Sequence, residues 1–201
     1  MRKKEWFVLI ACILSFLCAG FLSFGEQCSF IRENTLRLHI LANSDSSADQ
    51  ALKLKIRDAV LAQSGDLFSG CDTREKMIGA ARERLSDIRQ TACQTAMHNG
   101  YDLPVKVSVT DMFFETRQYG DVILPAGTYT AVRIELGEAA GKNWWCVLYP
   151  PLCVSAAETG FTEAELQIGD SLLKQQELPR YRAKLAVVEW WENLCRSLDK
   201  K

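Results

Sequence analysis

The sequence predicts an α+β protein, in which a mainly antiparallel four- to five-stranded sheet packs against two or three helices and a signal or anchor segment precedes them. Two observations support this prediction, one for the fold class and one for the leading segment. Helical periodicity fills residues 47–100, whereas the alternation that is typical of strands fills residues 105–149. Segregated helices and strands favour an α+β architecture. The second observation is a long apolar run near the start of the 201-residue chain.

The first 25 residues have the layout of a secretory signal. Three basic residues precede an apolar run from Trp6 to Phe24, and small residues follow it. Cleavage before Glu26 would suit the small residues there. The run of about 19 residues is also just long enough to span a bilayer at about 1.5 Å per residue. We expect residues 1–25 to be a signal peptide or an N-terminal membrane anchor, and residues 26–201 to form a single exported domain.

The charge of the exported part argues against nucleic acid as a partner. Residues 1–25 hold three of the 24 basic residues and one of the 25 acidic residues, which leaves 21 basic and 24 acidic residues and a net charge of −3. Nucleic-acid binding depends on clustered lysine and arginine. We therefore predict a partner other than nucleic acid.

A strand and a helix are predicted at the start of the exported domain. Apolar and polar residues alternate over residues 35–42, which indicates a half-buried strand with Arg37 and His39 on its polar side. Ser47, with Gln50 three residues later, is typical of a capping box and predicts the start of a helix.

A second, longer helix is predicted from Thr73 to Asn99, where Asn99-Gly100 is a typical stop signal. Strands then follow by their alternation, with turns between them. The predicted strands cover residues 105–110, 132–136 and 144–149, the turns residues 124–128 and 137–142, and a last helix residues 180–198.

Neither catalysis nor a metal site is predicted. The sequence has two histidines, and His98 at a helix end suits the helix dipole. A triad would need His39 with Ser44 and Asp45, but turn and cap chemistry explains those residues better. There is no C-x-x-C, no nucleophile elbow and no phosphate-binding loop. We predict a protein that is not an enzyme and carries no cofactor.

Six of the eight cysteines lie in the exported part, and an even number in an exported chain suggests disulfides. Cys146 and Cys153 flank Pro150-Pro151, where the chain should turn, so these two are disulfide candidates. Two free thiols beside a turn are the alternative. A Cys71–Cys93 bond is excluded if one continuous helix rises about 30 Å between them.

Two pairs of adjacent tryptophans are candidates for contact with a partner. Neighbours in a strand point to opposite faces, so one of Trp144 and Trp145 should point outward. In the last helix, Trp191 joins the apolar stripe, which makes Trp190 the surface residue. Exposed tryptophan can anchor a partner, and packing under a loop is the alternative.

Two long blocks of this sequence resemble the stage II sporulation protein R family. They are LRLHILANSDSSADQALKLKIRDAVL (residues 36–61) and YGDVILPAGTYTAVRIELGEAAGKNWWCVLYPPLC (residues 119–153). The resemblance implies a signal made in the forespore and exported to the forespore membrane or to the space between the forespore and mother-cell membranes. There it would activate a membrane-embedded aspartic protease of the mother cell, which processes the sigma-E precursor. The resemblance assigns no catalytic residue.

An activating signal must present a surface, and we expect that surface in the polar parts of the two blocks. An exported cell-wall hydrolase and a structural envelope protein remain alternatives, because carboxylates that could serve a hydrolase are plentiful. The predicted contact residues are Arg37, His39, Asn43, Asp45, Asp49, Asn143, Trp144 and Trp145.

Overall fold

The computed structural model describes residues 3–71, 73–119 and 122–149, together with Trp190, Ser197 and Leu198. Most of the predicted last helix, including Trp191, lies outside these residues. The helices of the described part are α1 (Lys3–Glu33), α2 (Ser47–Ala62), α3 (Ser64–Leu67), α4 (Arg74–Glu83) and α5 (Leu85–His98). Its strands are β1 (Leu36–Leu41), β2 (Val105–Phe114), β3 (Arg117–Tyr119), β4 (Val122–Leu124), β5 (Gly127–Leu136) and β6 (Asn143–Tyr149).

The main sheet has the order β2-β5-β1-β6, while β3 and β4 form a separate two-stranded hairpin. The class is α+β, as predicted, but the prediction of a mainly antiparallel sheet is wrong because the sheet is mixed. Strand β5 enters between β2 and β1 and runs parallel to β1, whereas β2–β5 and β1–β6 are antiparallel. Parallel neighbours need a long crossover. Here the crossover is the whole stretch from α2 to β4, which returns the chain to the end of the sheet where β1 began.

One face of the sheet, the helical face, carries the apolar core. Leu36, Leu38 and Ile40 of β1 point toward the helices and are fully buried. Complete burial of such a side chain contributes about 1.5–3 kcal/mol. The helices present apolar stripes to this face, including Leu52, Ile56 and Val60 of α2 and Ile88, Ala92 and Ala96 of α5.

Helix α2 begins at the predicted residue, but its cap lies one residue earlier than the predicted capping box. The side chain of Ser46, not Ser47, accepts a hydrogen bond from the backbone N–H of Asp49 at 3.1 Å. Asp49 stands in the first turn, where a negative charge favours the helix dipole.

The predicted long helix is two helices. It begins at the predicted Thr73 cap, but Arg84, with φ −105° and ψ 19°, ends α4 and precedes α5. The apolar stripe continues on both sides of Arg84, so periodicity alone did not reveal the break. The continuous helix on which the exclusion of a Cys71–Cys93 bond rested is therefore absent. Cys93 nevertheless carries a free thiol.

Helix α1 joins the sheet through its last turns. Phe24, Cys28 and Ile31 are buried against the body. The Arg32 side chain lies over Gly127, whose φ is +149° and where a Cβ would come within 2.6 Å of the Arg32 Cδ. The predicted cleavage point lies within this helix. In the part of the chain that the structure describes, no helix is both long and apolar enough to cross a membrane.

The cap of α2 gives a direct test of the local structure. Replacing Ser46 with alanine should lower the free energy of unfolding by about 1 kcal/mol, because an N-cap hydrogen bond is lost. The matched Ser47→Ala variant, at an exposed position, should change it by less than about 0.5 kcal/mol. Urea denaturation of the full chain measures both, and a larger loss in Ser47→Ala would contradict the assignment of the cap.

Candidate functional site

The two sequence blocks that contain the predicted contact residues meet because β1 and β6 are neighbouring strands. His39 pairs with Trp145 and Leu41 with Asn143 in the antiparallel register. The segment that follows β1 therefore lies beside the segment that precedes β6. We call these two segments, residues 43–50 and 137–143, the loop pair.

Backbone and side-chain hydrogen bonds join the two halves of the loop pair. The Asn43 Oδ1 accepts from the Glu138 N–H at 3.0 Å, and the Asp45 Oδ1 accepts from the Lys142 N–H at 2.7 Å. Gly137, with φ +57°, lies so close to the Asn43 side chain that a Cβ there would clash. The loop pair is therefore held in one arrangement and does not depend on a ligand for its shape.

Asp49 and Lys53 of α2 hold the loop pair in place through side-chain hydrogen bonds. The Asp49 Oδ2 accepts from the Ser44 hydroxyl at 2.5 Å and from the Asn43 amide at 2.9 Å. These bonds, led by that of Ser44, lower the pKa of Asp49. The Lys53 Nζ donates to the Gln50 Oε1 at 2.6 Å and to the Lys142 carbonyl at 2.8 Å. Asp49 and Lys53 are thus buried structural residues.

His39 is buried rather than exposed on a polar surface, with only 3% of its surface accessible. Its Nε2–H donates to the Asn143 Oδ1 at 2.8 Å, and its ring stacks on Trp145 at 4.0 Å. Burial is the largest cause that lowers the pKa of His39, and Arg133 adds to it, while the Asn143 bond and Glu135 oppose it. His39 is therefore neutral at pH 7. It bonds to Asn143 and not to the Ser44 and Asp45 that a triad would need.

Arg37 is completely buried, which also contradicts the predicted half-buried strand. Its Nη2 donates to the Tyr119 hydroxyl at 2.5 Å, and its Nε donates to the Cys146 carbonyl at 3.4 Å. Its guanidinium lies 4.1 Å from the ring centre of Phe114 and 5.1 Å from that of Tyr129. The polar side of β1 is buried because β1 is an inner strand and the hairpin covers this side.

The two adjacent tryptophans of β6 point to opposite faces, as predicted, but neither is exposed at the surface, because both are half-buried. Trp144 packs at the helical face, with the guanidinium of Arg57 4.5 Å from its ring centre. Trp145 packs edge-on against Phe114 on the other side. Trp190 is 63% exposed, as predicted.

The exposed part of the loop pair is smaller than the predicted contact set. Asp45 and Asn143 are exposed, and Asn43 is half-buried. Glu138 and Lys142 are also exposed, although they are not among the predicted contact residues. The only sequence feature that indicates Glu138 and Lys142 is the predicted turn at residues 137–142, and a turn does not by itself predict a contact surface. In the described residues, no group of histidine, cysteine and acidic side chains could hold a metal ion.

Cys146 is fully buried on β6 and is disulfide-bonded. Cys153 lies outside the described residues, so the pairing of Cys146 with Cys153 stays a prediction.

Comparison with known proteins identifies relatives of this chain. The family model for stage II sporulation protein R matches residues 32–159. The stage II sporulation protein R of Bacillus subtilis (strain 168) is 37% identical over 147 residues. That match covers 73% of this chain and spans 66% of the relative's length, just under two thirds. No solved structure matches the chain. The family match includes both strands and both segments that form the site.

The burial of His39 gives a pH-dependent stability. Since its pKa is lowered in the folded protein from the ordinary 6.5, the stability it contributes is complete above that value. It is lost as the pH falls from there through the folded-state pKa. A His39→Gln variant should lack this acid-induced loss, and the matched His98→Gln variant, at an exposed position, should retain it. Urea denaturation at pH 5 to 8 measures the effect, and parallel curves for wild type and His39→Gln would contradict it.

Proposed function

The chain belongs to the stage II sporulation protein R family, and we propose that it acts in sporulation as an exported signal between compartments and not as an enzyme. The family gives the chain its role in sporulation. In the proposed function, the protein crosses the forespore membrane and works in the space before the mother-cell membrane. Its partner is the membrane-embedded aspartic protease of the mother cell, which it activates to process the sigma-E precursor.

The observation that carries this proposal is the position of the loop pair relative to α1. Strand β1 starts three residues after α1 ends and leads straight to residue 43. Six residues of strand span about 20 Å. Strand β5 is parallel to β1 and delivers residues 137–142 to the same end. The loop pair therefore lies at the end of the sheet opposite to the α1–β1 connection, and we propose that this end faces the receptor.

The loop pair suits recognition better than chemistry. Its exposed side chains are polar or charged, and the hydrogen bonds beneath them fix its backbone before any partner binds. A preorganised surface loses little conformational entropy on binding. The only histidine near it is neutral, buried and bonded to an amide. We therefore propose that activation results from contact, with the loop pair as the contact surface.

Charge reversal at the exposed loop residues tests this proposal. Glu138→Lys and Lys142→Glu change side chains at exposed positions, so the melting temperature should stay within about 2 °C of the wild type. Cleavage of the sigma-E precursor should fall about tenfold, which corresponds to a loss of about 1.4 kcal/mol of binding free energy. Immunoblots of cells that co-produce the protein, the protease and the precursor measure the cleaved fraction.

The matched controls for this experiment are Glu83→Lys and Arg82→Glu. Both are exposed residues of α4 and undergo the same charge changes. They should leave cleavage unchanged. Normal cleavage in both loop variants would show that the loop pair is not the contact surface.

A further inference from the structure

Three buried nitrogen atoms on one face of the sheet have no hydrogen-bond partner. They are the Nη1 of Arg37, the Nδ1 of His39 and the Nε of Arg133, all within the described part of the chain. Arg37 and His39 are two apart on β1, and Arg133 pairs with His39 across the β1–β5 register, so the three share a face. Folded proteins bond nearly all buried polar groups, so the two arginine donors without an acceptor require an explanation. The Nδ1 of neutral His39 is an acceptor and adds no donor.

Arg37 is the most unusual of the three. A guanidinium stays charged in proteins, and taking an ion out of water costs several kcal/mol. Among the residues that the structure describes, no carboxylate contacts it. Its neighbours are two neutral oxygens and the rings of Phe114, Tyr119 and Tyr129. Cation–π contacts offset only part of that cost, so within the described residues Arg37 is a buried positive charge without a counter-charge.

The surroundings of Arg37 are also positive. Arg117 lies 5.7 Å from the ring centre of Trp145 on this face. Arg133 is 2.8 Å from Glu135, which is also 3.5 Å from Lys106. The single carboxylate of this group is thus already shared between two cations. We call this side of the sheet, with Arg37, His39, Arg133, Phe114, Tyr129 and Trp145, the aromatic face.

We propose that the aromatic face binds a carboxylate from an acidic segment of a polypeptide partner, with the Arg37 Nη1 and the Arg133 Nε as donors. Guanidinium groups match carboxylates in geometry and form strong, charge-assisted hydrogen bonds with them. The rings of Phe114 and Trp145 give apolar walls for the methylene groups of a glutamate and for the peptide beside it. This site adjoins the loop pair through the His39–Asn143 hydrogen bond, but its proposed donors are not loop-pair residues, and it does not depend on the proposed function.

In this proposal, the β3–β4 hairpin must move before a carboxylate reaches Arg37, because Tyr119 of β3 lies against the guanidinium. The Tyr119 hydroxyl accepts from Arg37 and donates to the Trp145 carbonyl at 3.1 Å, which fixes the hairpin over the guanidinium. Each of its strands has three residues, and a two-stranded hairpin is only marginally stable by itself. Removing the Tyr119 hydroxyl should raise the fraction of molecules in which the hairpin has moved away from Arg37. The apparent affinity for the carboxylate should then rise by the same factor.

Calorimetric titration with an acetylated, amidated hexaglutamate peptide tests the site on the full chain, with hexaglutamine as the control peptide. We expect hexaglutamate to bind at least tenfold more tightly than hexaglutamine, and Tyr119→Phe to strengthen binding severalfold. Arg37→Met and Arg133→Met should each weaken it at least tenfold. Arg57→Met, which alters an arginine–tryptophan contact on the helical face, should leave it unchanged. Equal binding of the two peptides would overturn the proposal, as would displacement of hexaglutamate by an equal concentration of inorganic phosphate.

The melting temperature separates a ligand site from a structural role. Replacing a buried ion by an apolar residue of similar volume is often neutral or stabilising. Arg37→Met should therefore melt at the same temperature as the wild type or higher, even though it loses binding. A lower melting temperature would overturn the proposal, because the guanidinium would then stabilise the free protein. Arg133→Met changes a half-buried residue, so it reports on binding even if Arg37→Met does not fold.

Discussion

The pairing of β1 on both of its edges is the constraint on which the rest of this structure depends. Parallel pairing with β5 and antiparallel pairing with β6 place β1 inside the sheet. That position buries Leu36, Leu38 and Ile40 under the helices and Arg37 and His39 on the other side. It also brings residues 43–50 and 137–143 together at one end. A strand read alone as half-exposed is therefore the centre of the molecule.

Because both faces of β1 are buried, the polar residues on this strand and in the loop pair fall into two groups. Those at the end of the strand, such as Asp45 and Asn143, reach the surface from a loop pair that their own hydrogen bonds hold in place. Those along the strand, Arg37 and His39, lie in an interior of aromatic rings. The first group suits contact with a folded partner. In the second group, Arg37 carries the electrostatic cost of a buried charge.

Local signals in the sequence predicted much of the fold. The Thr73 cap, the stop at Asn99-Gly100, the turn before Gly127 and the β5 alternation all depend on neighbouring residues, and the structure contains each of them. Long-range features were not predicted. Alternation gives the side of a strand that a residue occupies but not what covers that side, so the burial of Arg37 went unrecognised. The parallel register of β1 and β5 is likewise absent from any local pattern, and the stripe across Arg84 concealed a break.

We propose that the loop pair contacts the membrane protease, and a photo-crosslinking amino acid placed at position 138 detects this contact. In sporulating cells, irradiation should join this position to the membrane protease, while the same amino acid at the exposed position 83 should give no such product. The expected product is one species that antibodies to both proteins recognise. A crosslink from position 83 with none from position 138 would show that the protease contacts another surface.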